Sequence, residues 1–132
     1  RVIEHASSGK GLTPNKISAF SLGRSGEDAA LHYLLRNKYK VIARHFRMFR
    51  GEIDIIAYDK KTLVFVEVKA RRSKDYGLPE ESVTPAKQRQ IRKIAQGFLL
   101  KNRLENIECR FDVISLELNG AEYSIRHIKN AF

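Results

Sequence analysis

The chain has 132 residues, which fits one domain, and 42% of them are hydrophobic, enough for a compact core. Its 25 Lys and Arg residues outnumber its 15 Asp and Glu residues, so the formal net charge is +10 and a polyanionic partner is expected. No stretch approaches the roughly 18 apolar residues that span a bilayer, so we do not expect an integral membrane protein. The single cysteine, Cys109, excludes an internal disulfide and a Cys-based zinc site. Since no charged-then-apolar leader opens the sequence, we expect a reducing, cytoplasmic location.

We predict two helices and five strands. The predicted helices cover residues 22–37 and a segment that opens at Thr84-Pro85, where Thr is the N-cap and Pro the first helical residue. The predicted strands cover residues 41–46, 52–58, 63–70, 110–118 and 122–128. Residues 1–20 are interpreted as an N-terminal arm or tail, and residues 21–132 as a single domain. The order α-β-β-β-α-β-β indicates an α/β fold with one mixed β-sheet flanked by helices.

The basic side chains are concentrated in two windows that contain no acid, residues 29–51 and 82–104, which hold 12 of the 25. Seven of the 15 acids lie between the two windows: Glu52, Asp54, Asp59, Glu67, Asp75, Glu80 and Glu81. Acidic groups repel phosphates, and a bound metal cation would explain why a nucleic-acid-binding protein carries them there. The alternative is that charges on a small domain cluster by chance.

The two central strands are predicted to form a hairpin with a defined register. A loop of two residues or of four gives the same pairing, in which Asp54 faces Glu67 and Glu52 faces Lys69. Because side chains alternate between faces, one face is then wholly apolar and is assigned to the core. Its residues are Ile53, Ile55, Ala57, Val64, Val66 and Val68.

The predicted pairing of Asp54 with Glu67 sets like charges opposite each other. Opposed Cβ atoms lie roughly 5 Å apart, so this pair is unfavourable unless a neighbouring charge compensates it. Lys69 could do so, and so could a divalent cation, because Mg²⁺ commonly binds one or two carboxylates and keeps several waters. The alternative is an ordinary solvent-facing strand with a Glu-x-Lys pair.

Short motifs follow one another in a fixed order along residues 22–118. They are Gly23-Arg24-Ser25-Gly26-Glu27, Phe46-Arg47, Gly51-Glu52-Ile53-Asp54-Ile55-Ile56, Phe65-Val66-Glu67-Val68-Lys69, Arg71, Thr84 with Lys87, and Phe111-Asp112-Val113. An Asp, a strand turn and Glu-x-Lys resemble the PD-(D/E)XK nuclease superfamily. The whole set more closely resembles the bacterial YraN family, which is similar to archaeal Holliday-junction resolvases. Two positions depart from that family's pattern: Lys38 stands where Gly is frequent and His45 where Asn is frequent.

The resemblance implies a restriction-endonuclease-like core, with residues 21–132 as a single endonuclease-like domain. It implies that Asp54 and Glu67 bind Mg²⁺ (or Mn²⁺) with the main-chain carbonyl of Val68, and that Glu27 is a further ligand or water-holder. Lys69 would position or help deprotonate the attacking water and stabilise the charge on the scissile phosphate. Catalysis is therefore assigned to Asp54, Glu67, Lys69 and Glu27.

Two acids also have simpler interpretations. Glu27 could be an acid in the first turn of the helix, favoured there by the helix dipole. Glu52 is rated as supporting, as a salt-bridge partner of Lys69. Asp112, between two apolar residues, is interpreted as structural.

Several polar residues are candidate phosphate contacts, each with a solvated surface position as the alternative: Arg24, Arg71, Arg72, Lys87 and Gln88. The first hypothesis is a Mg²⁺-dependent endonuclease acting on branched or structured DNA. The second is a non-catalytic nucleic-acid-binding module on a retained nuclease fold. The third, ranked far below, is a peripheral membrane protein that uses the basic long helix. The resemblance favours DNA over RNA and allows a homodimer.

Overall fold

A computed structural model describes residues 3–7, 22–72, 77–119 and 122–132. Two α-helices are present in this part of the chain, α1 (Leu22–Arg36) and α2 (Pro85–Lys101), and a 3₁₀ turn (Pro79–Ser82) precedes α2. The strands are β1 (Ile3–Ser7), β2 (Lys40–Met48), β3 (Gly51–Asp59), β4 (Thr62–Arg72), β5 (Cys109–Asn119) and β6 (Glu122–Ile128). They form one sheet in the order β1-β6-β5-β4-β3-β2, in which β4 and β5 are parallel and the other neighbours antiparallel. The predicted α/β fold with a mixed, helix-flanked sheet is confirmed.

One strand, β1, was not predicted, and it lies within the segment interpreted as an arm. It pairs antiparallel with β6, where Ile3 is opposite Ile128 and Ser7 is opposite Ser124. Residues 1–2 and 8–21 lie outside the described part of the chain. Ile3–Ser7 therefore extends the sheet of the domain predicted for residues 21–132.

Strand alternation divides the core into two layers, one beneath each helix. Val64 and Val66 belong to the layer beneath α1, whereas Leu63 and Phe65 belong to the layer beneath α2. This is the two-residue side-chain period of a strand covered on both faces. The predicted apolar face of α2 is buried through Ile91, Ile94, Ala95 and Phe98. Because helices cover both faces, charged groups on the central strands are partly withdrawn from water.

The predicted register of the β3–β4 hairpin is confirmed from its turn as far as Ile55. Ile56 pairs with Phe65 and Ile55 with Val66. The ladder ends there, so Asp54 and Glu67 lie just beyond the last backbone pair. The two strands therefore separate at the acids, and the opposition predicted for them lies outside the backbone ladder, although Asp54 is close enough to raise the pKa of Glu67.

Ile53 lies on the opposite face from the one predicted. It is buried beneath α2, whereas Ile55 is buried beneath α1. The ladder with β2 is irregular at the same place: Arg44 pairs with Ile55 and Phe46 with Ile53, but His45 between them has φ 52 and lies outside the ladder. The alternation of β3 breaks opposite this point, so that Ile53 and Ile55 lie in different layers on either side of Asp54.

Both departures from the YraN pattern occur at left-handed backbone positions. The φ angles are 68 for Lys38 and 52 for His45. Gly adopts this region freely and Asn more readily than most residues, because other L side chains crowd the backbone there. The residues frequent in the family are thus those that fit the local backbone best.

Candidate active site

A cleft lies beside the point where β3 and β4 separate. It has a volume of about 690 Å³ and is lined by Glu27, Asp28, Arg44, His45, Asp54, Val68 and Ala70. Three of the predicted metal-binding positions, Glu27, Asp54 and Val68, therefore border one space. Glu67 and Lys69, which alternate with Val68 and Ala70 along β4, lie towards α2 instead.

The carboxylate of Asp54 is held by the backbone of the neighbouring strand. The main-chain amide of Val68 donates a hydrogen bond of 2.8 Å to Oδ2 of Asp54. Burial raises the pKa of Asp54, the Val68 amide lowers it, and the charge of Glu52 raises it again, with a net increase. Asp54 is therefore a positioned acid whose negative charge is incompletely compensated.

Glu67 is buried, and two lysines from different elements lie near its carboxylate. Its Oε2 lies 3.5 Å from Nζ of Lys69, in the same strand, and 3.8 Å from Nζ of Lys87, in the first turn of α2. Thr84 is the N-cap of α2, and its Oγ1 fixes that turn by accepting a 3.2 Å hydrogen bond from the Lys87 amide. Burial and the charge of Asp54 raise the pKa of Glu67 to about 7, although both lysines lower it.

Glu27 lies in the second turn of α1, so the prediction that it belongs to the first turn is wrong. The helix begins at Leu22 and its first turn contains no acid. The partners of Glu27 are instead tertiary: Oε1 lies 2.6 Å from Nε2 of His45 and 3.2 Å from Nη2 of Arg44. Burial raises the pKa of Glu27, while His45 and Arg44 lower it and Asp54 raises it, with a net increase.

His45 bridges two acids and is a site residue that the sequence analysis missed. Its Nε2 contacts Glu27, and its Nδ1 lies 2.9 Å from Oε2 of Glu52. Glu52 also lies 3.6 Å from Nε of Arg47, whereas Lys69 pairs with Glu67, so the predicted pair of Glu52 with Lys69 is wrong. No local pattern could reveal His45, because its partners come from α1 and β3.

The donor set at this site suits a hard divalent cation. Asp54 and Glu67 supply carboxylate oxygens, and Mg²⁺ needs only one or two carboxylates because it retains several waters. The pKa values of both acids are raised mainly because burial disfavours their charged forms, and a bound cation would stabilise those charged forms. No set of three or more His, Cys, Asp or Glu side chains is placed to hold a metal within the described ranges. The fit thus rests on two acids, while Glu27 is engaged by His45 and Arg44.

Two of the predicted phosphate contacts are held by the protein itself. Nη2 of Arg71 donates a 2.6 Å hydrogen bond to the Gly77 carbonyl, and its Nε lies 3.3 Å from Oε2 of Glu117. Nε2 of Gln88 donates a 3.0 Å hydrogen bond to the Val83 carbonyl. Both side chains therefore stabilise loops and strand ends near the site.

The other predicted contacts have different positions. Lys87 lies beside Glu67, and Arg72 is exposed at the last position of β4. The side chain of Arg24, in the first turn of α1, lies outside the described residues. Lys87 thus lies beside Glu67, one of the two proposed metal-binding acids, whereas Arg72 lies at the C-terminal end of β4.

Among the described residues, no helix is both long and apolar enough to cross a membrane. The long helix α2, on which the membrane hypothesis relied, instead buries its apolar face against the sheet.

Comparison with known proteins gives a consistent result. The model of the uncharacterised protein family UPF0102 matches residues 26–116. A UPF0102 protein of Geobacter metallireducens is 53% identical over 112 residues, 85% of this chain and 92% of the relative. Another from Geobacter sulfurreducens is 49% identical over 125 residues, 94% of each chain, and one from Prosthecochloris aestuarii is 48% identical over 117 residues, 84% of this chain and 92% of the relative. The chain therefore belongs to the UPF0102 family, the YraN family that its motifs had indicated.

Proposed function

We propose that this protein is a divalent-metal-dependent endonuclease that hydrolyses phosphodiester bonds in branched or otherwise structured DNA. The observation that carries the proposal is the convergence of Asp54, Glu67, Lys69 and Lys87 where β3 and β4 separate: the charge of Asp54 raises the pKa of Glu67, and both lysines lie within 3.8 Å of Glu67. Burying like-charged acids together costs free energy and contributes little to stability, so the cluster needs a functional reason. The net charge of +10 supports a polyanionic substrate.

In this proposal each residue has a distinct role. Asp54 and Glu67 would hold Mg²⁺ or Mn²⁺, with the Val68 carbonyl as a further ligand and the Val68 amide fixing the Asp54 carboxylate. The bound ion would supply a Lewis acid that lowers the pKa of water and neutralises developing charge. Nζ of Lys69 orients the attacking water and stabilises the negative charge on the scissile phosphate.

Two neighbouring residues complete the proposed site. Nζ of Lys87, 3.8 Å from Oε2 of Glu67, is close enough to contact a phosphate bound there. Glu27 acts as a water-holder rather than a direct ligand, because His45 and Arg44 already bind its Oε1.

A second candidate is a nucleic-acid-binding module that retains the nuclease fold without catalysis. The engagement of Glu27 by His45 and Arg44 favours it, since no third acid within the described ranges joins Asp54 and Glu67 as a metal ligand. The two functions share the substrate and differ in whether a bond is cut.

A cleavage assay separates the two candidates. Four-way junctions, flaps, single strands and continuous duplexes of DNA, with matched RNA, are incubated with Mg²⁺, with Mn²⁺ or with EDTA. We expect metal-dependent cleavage that falls by about 10²–10³-fold in Asp54→Asn and in Lys69→Ala. Matched controls are Glu105→Gln and Lys61→Ala, two exposed positions outside the site, which should cut normally.

The assay has two outcomes that contradict the endonuclease proposal, and they differ in whether the wild type binds DNA. If the wild type binds DNA but never cuts, and Asp54→Asn binds at least as tightly, the binding-module function is correct. If the wild type neither cuts nor binds any of these substrates, both candidates are wrong.

A further inference from the structure

The turn between β2 and β3 rests on α2 and presents an aromatic side chain among cations. Phe49 in this turn is 50% exposed, and Nζ of Lys93 lies 4.8 Å from the centroid of its ring. A groove of about 560 Å³ runs beside them, lined by Phe49, Ala86, Lys87, Arg89, Gln90 and Lys93. Proteins that bind single-stranded nucleic acids commonly do so with exposed aromatic rings in a basic groove.

The turn carries two large side chains on a backbone that disfavours them. Phe49 and Arg50 have φ angles of 55 and 59, between the paired residues Met48 and Gly51. Positive φ at both central positions is the pattern of a type I′ hairpin turn, which Asn-Gly forms with least strain. Strain that persists at a pair of exposed residues motivates a functional hypothesis for their side chains.

Close packing on α2 fixes where the turn lies. A Cβ atom at position 97 would collide with Sδ of Met48 and lie 2.9 Å from Cε2 of Phe49. A Cβ at position 51 would lie 2.7 Å from Cδ1 of the buried Ile94. Because both positions are Gly, the turn sits directly on the helix, and Phe49 is presented in a fixed place rather than on a free loop. Such preorganisation lowers the entropic cost of binding.

The two chain segments that form the groove carry basic side chains and no acidic ones. Arg50, Arg89 and Lys93 are exposed, and residues 29–51 and 82–104 contain no acid. Lys87 joins the groove to the acidic pair, because it lines the groove and its Nζ lies 3.8 Å from Glu67. A strand whose scissile phosphate lay at the proposed metal site, beside Lys87, would therefore continue into the groove.

We propose that this groove binds an unpaired nucleotide of the substrate. Its base stacks on the face of Phe49 that Nζ of Lys93 covers in the free protein, and the displaced Lys93 and Arg89 bind the flanking phosphates. The inference rests on the proposed function, since it specifies the substrate of the same site as nucleic acid with unpaired bases beside the cleavage position. Bases of a continuous duplex are stacked on one another and offer Phe49 no free face.

Fluorescence tests the stacking directly, because the chain contains no tryptophan. Phe49→Trp provides a reporter in the groove, and Leu35→Trp provides a matched control at a position that is also 50% exposed but lies on α1. With Ca²⁺ in place of Mg²⁺, we expect oligodeoxythymidine to quench the Phe49→Trp emission and to leave that of Leu35→Trp unchanged. A duplex of equal length should quench neither.

Affinity measured by fluorescence anisotropy of labelled DNA gives an independent readout. Phe49→Ala should weaken binding of single strands and forks about tenfold and that of duplex less than twofold, whereas Phe49→Tyr should retain wild-type affinity. If the wild type binds DNA, Phe49→Ala binds single strands equally well and Phe49→Trp is not quenched, the groove inference is wrong while the proposed function stands. If the wild type binds no nucleic acid at all, both are wrong.

Discussion

Nε2 of His127 lies 2.7 Å from Oδ2 of Asp112, and both side chains are completely buried between α1 and the sheet. Nδ1 of the same ring lies 3.1 Å from the hydroxyl of Tyr33 in α1. Nε of Arg110 donates a 3.0 Å hydrogen bond to Oδ1 of Asp112, and its Nη2 donates one of 3.0 Å to Oδ2. The Asn130 main-chain amide donates a further bond of 3.1 Å to Oδ1. This network confirms the structural interpretation of Asp112 and joins α1 to the last strands.

Removing this carboxylate should be among the more destabilising single changes in the chain. Asp112→Asn would remove the completely buried carboxylate that pairs with His127 and with the partly buried Arg110. Arg110 keeps Asp59 as a partner at 3.0 Å, but breaking one side of a buried pair costs about 3–5 kcal/mol. Urea denaturation followed by circular dichroism measures the loss. Asp28→Asn, at a half-exposed acid that pairs with Arg44 on the surface, should cost less than about 1 kcal/mol. Equal effects of the two changes would contradict the assigned role.

The same network predicts a dependence on acid pH. Burial alone would raise the pKa of Asp112, but the hydrogen bonds from His127 and Arg110 outweigh it and lower the pKa below the usual 3.8. A pKa that is lower in the folded state contributes stability above about pH 4, and that contribution is lost as the pH falls through the folded-state value. The free energy of unfolding of the wild type should therefore fall below pH 4 more steeply than that of Asp112→Asn.

Local patterns were sufficient to predict the features that depend on neighbouring residues. Thr84-Pro85 defines the start of α2, and the length of the β3–β4 turn sets the pairing of Ile56 with Phe65. Features that involve distant segments were missed: β1 pairs with β6, and the break in alternation at Ile53 lies opposite the left-handed backbone of His45 in another strand. The site follows the same rule, since Glu67 and Lys69 are near in sequence while the contact of His45 with Glu27 is made only by the fold.

The buried carboxylate of Glu67 predicts a second pH dependence, opposite in sign. Burial and Asp54 raise its pKa from 4.5 to about 7, so between these values the folded state binds more protons than the unfolded state. In EDTA, the stability of the wild type should therefore fall as the pH rises from 4.5 through 7, by roughly 3 kcal/mol. Glu67→Gln should remove most of this slope and Glu105→Gln, at an exposed position, should not. Identical slopes for wild type and Glu67→Gln would refute the assignment.

Two substitutions of Asp54 should separate its charge from its hydrogen bond. Asp54→Asn keeps an oxygen to accept from the Val68 amide and removes the charge that raises the pKa of Glu67. We expect its stability at pH 8 to equal or exceed that of the wild type. The pKa of Glu67, measured by carboxyl NMR titration, should fall below 7 but stay above 4.5, because burial, the larger cause of the increase, remains. Asp54→Ala removes the acceptor as well and should cost about 1–3 kcal/mol. An Asp54→Asn variant as unstable as Asp54→Ala would show that the charge itself is stabilising.

Gly97 is an α2 residue at which alanine should fail to stabilise the protein, despite its higher helix propensity. Ala is favoured over Gly within a helix by about 1 kcal/mol, but a Cβ at this position collides with Sδ of Met48 and crowds the ring of Phe49. Overpacking of this kind costs about 1–3 kcal/mol, so Gly97→Ala should be neutral to destabilising by about 2 kcal/mol in urea denaturation. Gln96→Ala, at the exposed neighbouring position, should change stability by less than about 0.5 kcal/mol. The same clash should also affect nucleic-acid binding. Because it pushes the β2–β3 turn away from α2, Gly97→Ala should weaken the binding of single strands towards the affinity of Phe49→Ala.

A Gly97→Ala variant that is more stable than the wild type and binds single strands equally well would show that the position of the turn does not depend on its close packing against Gly97.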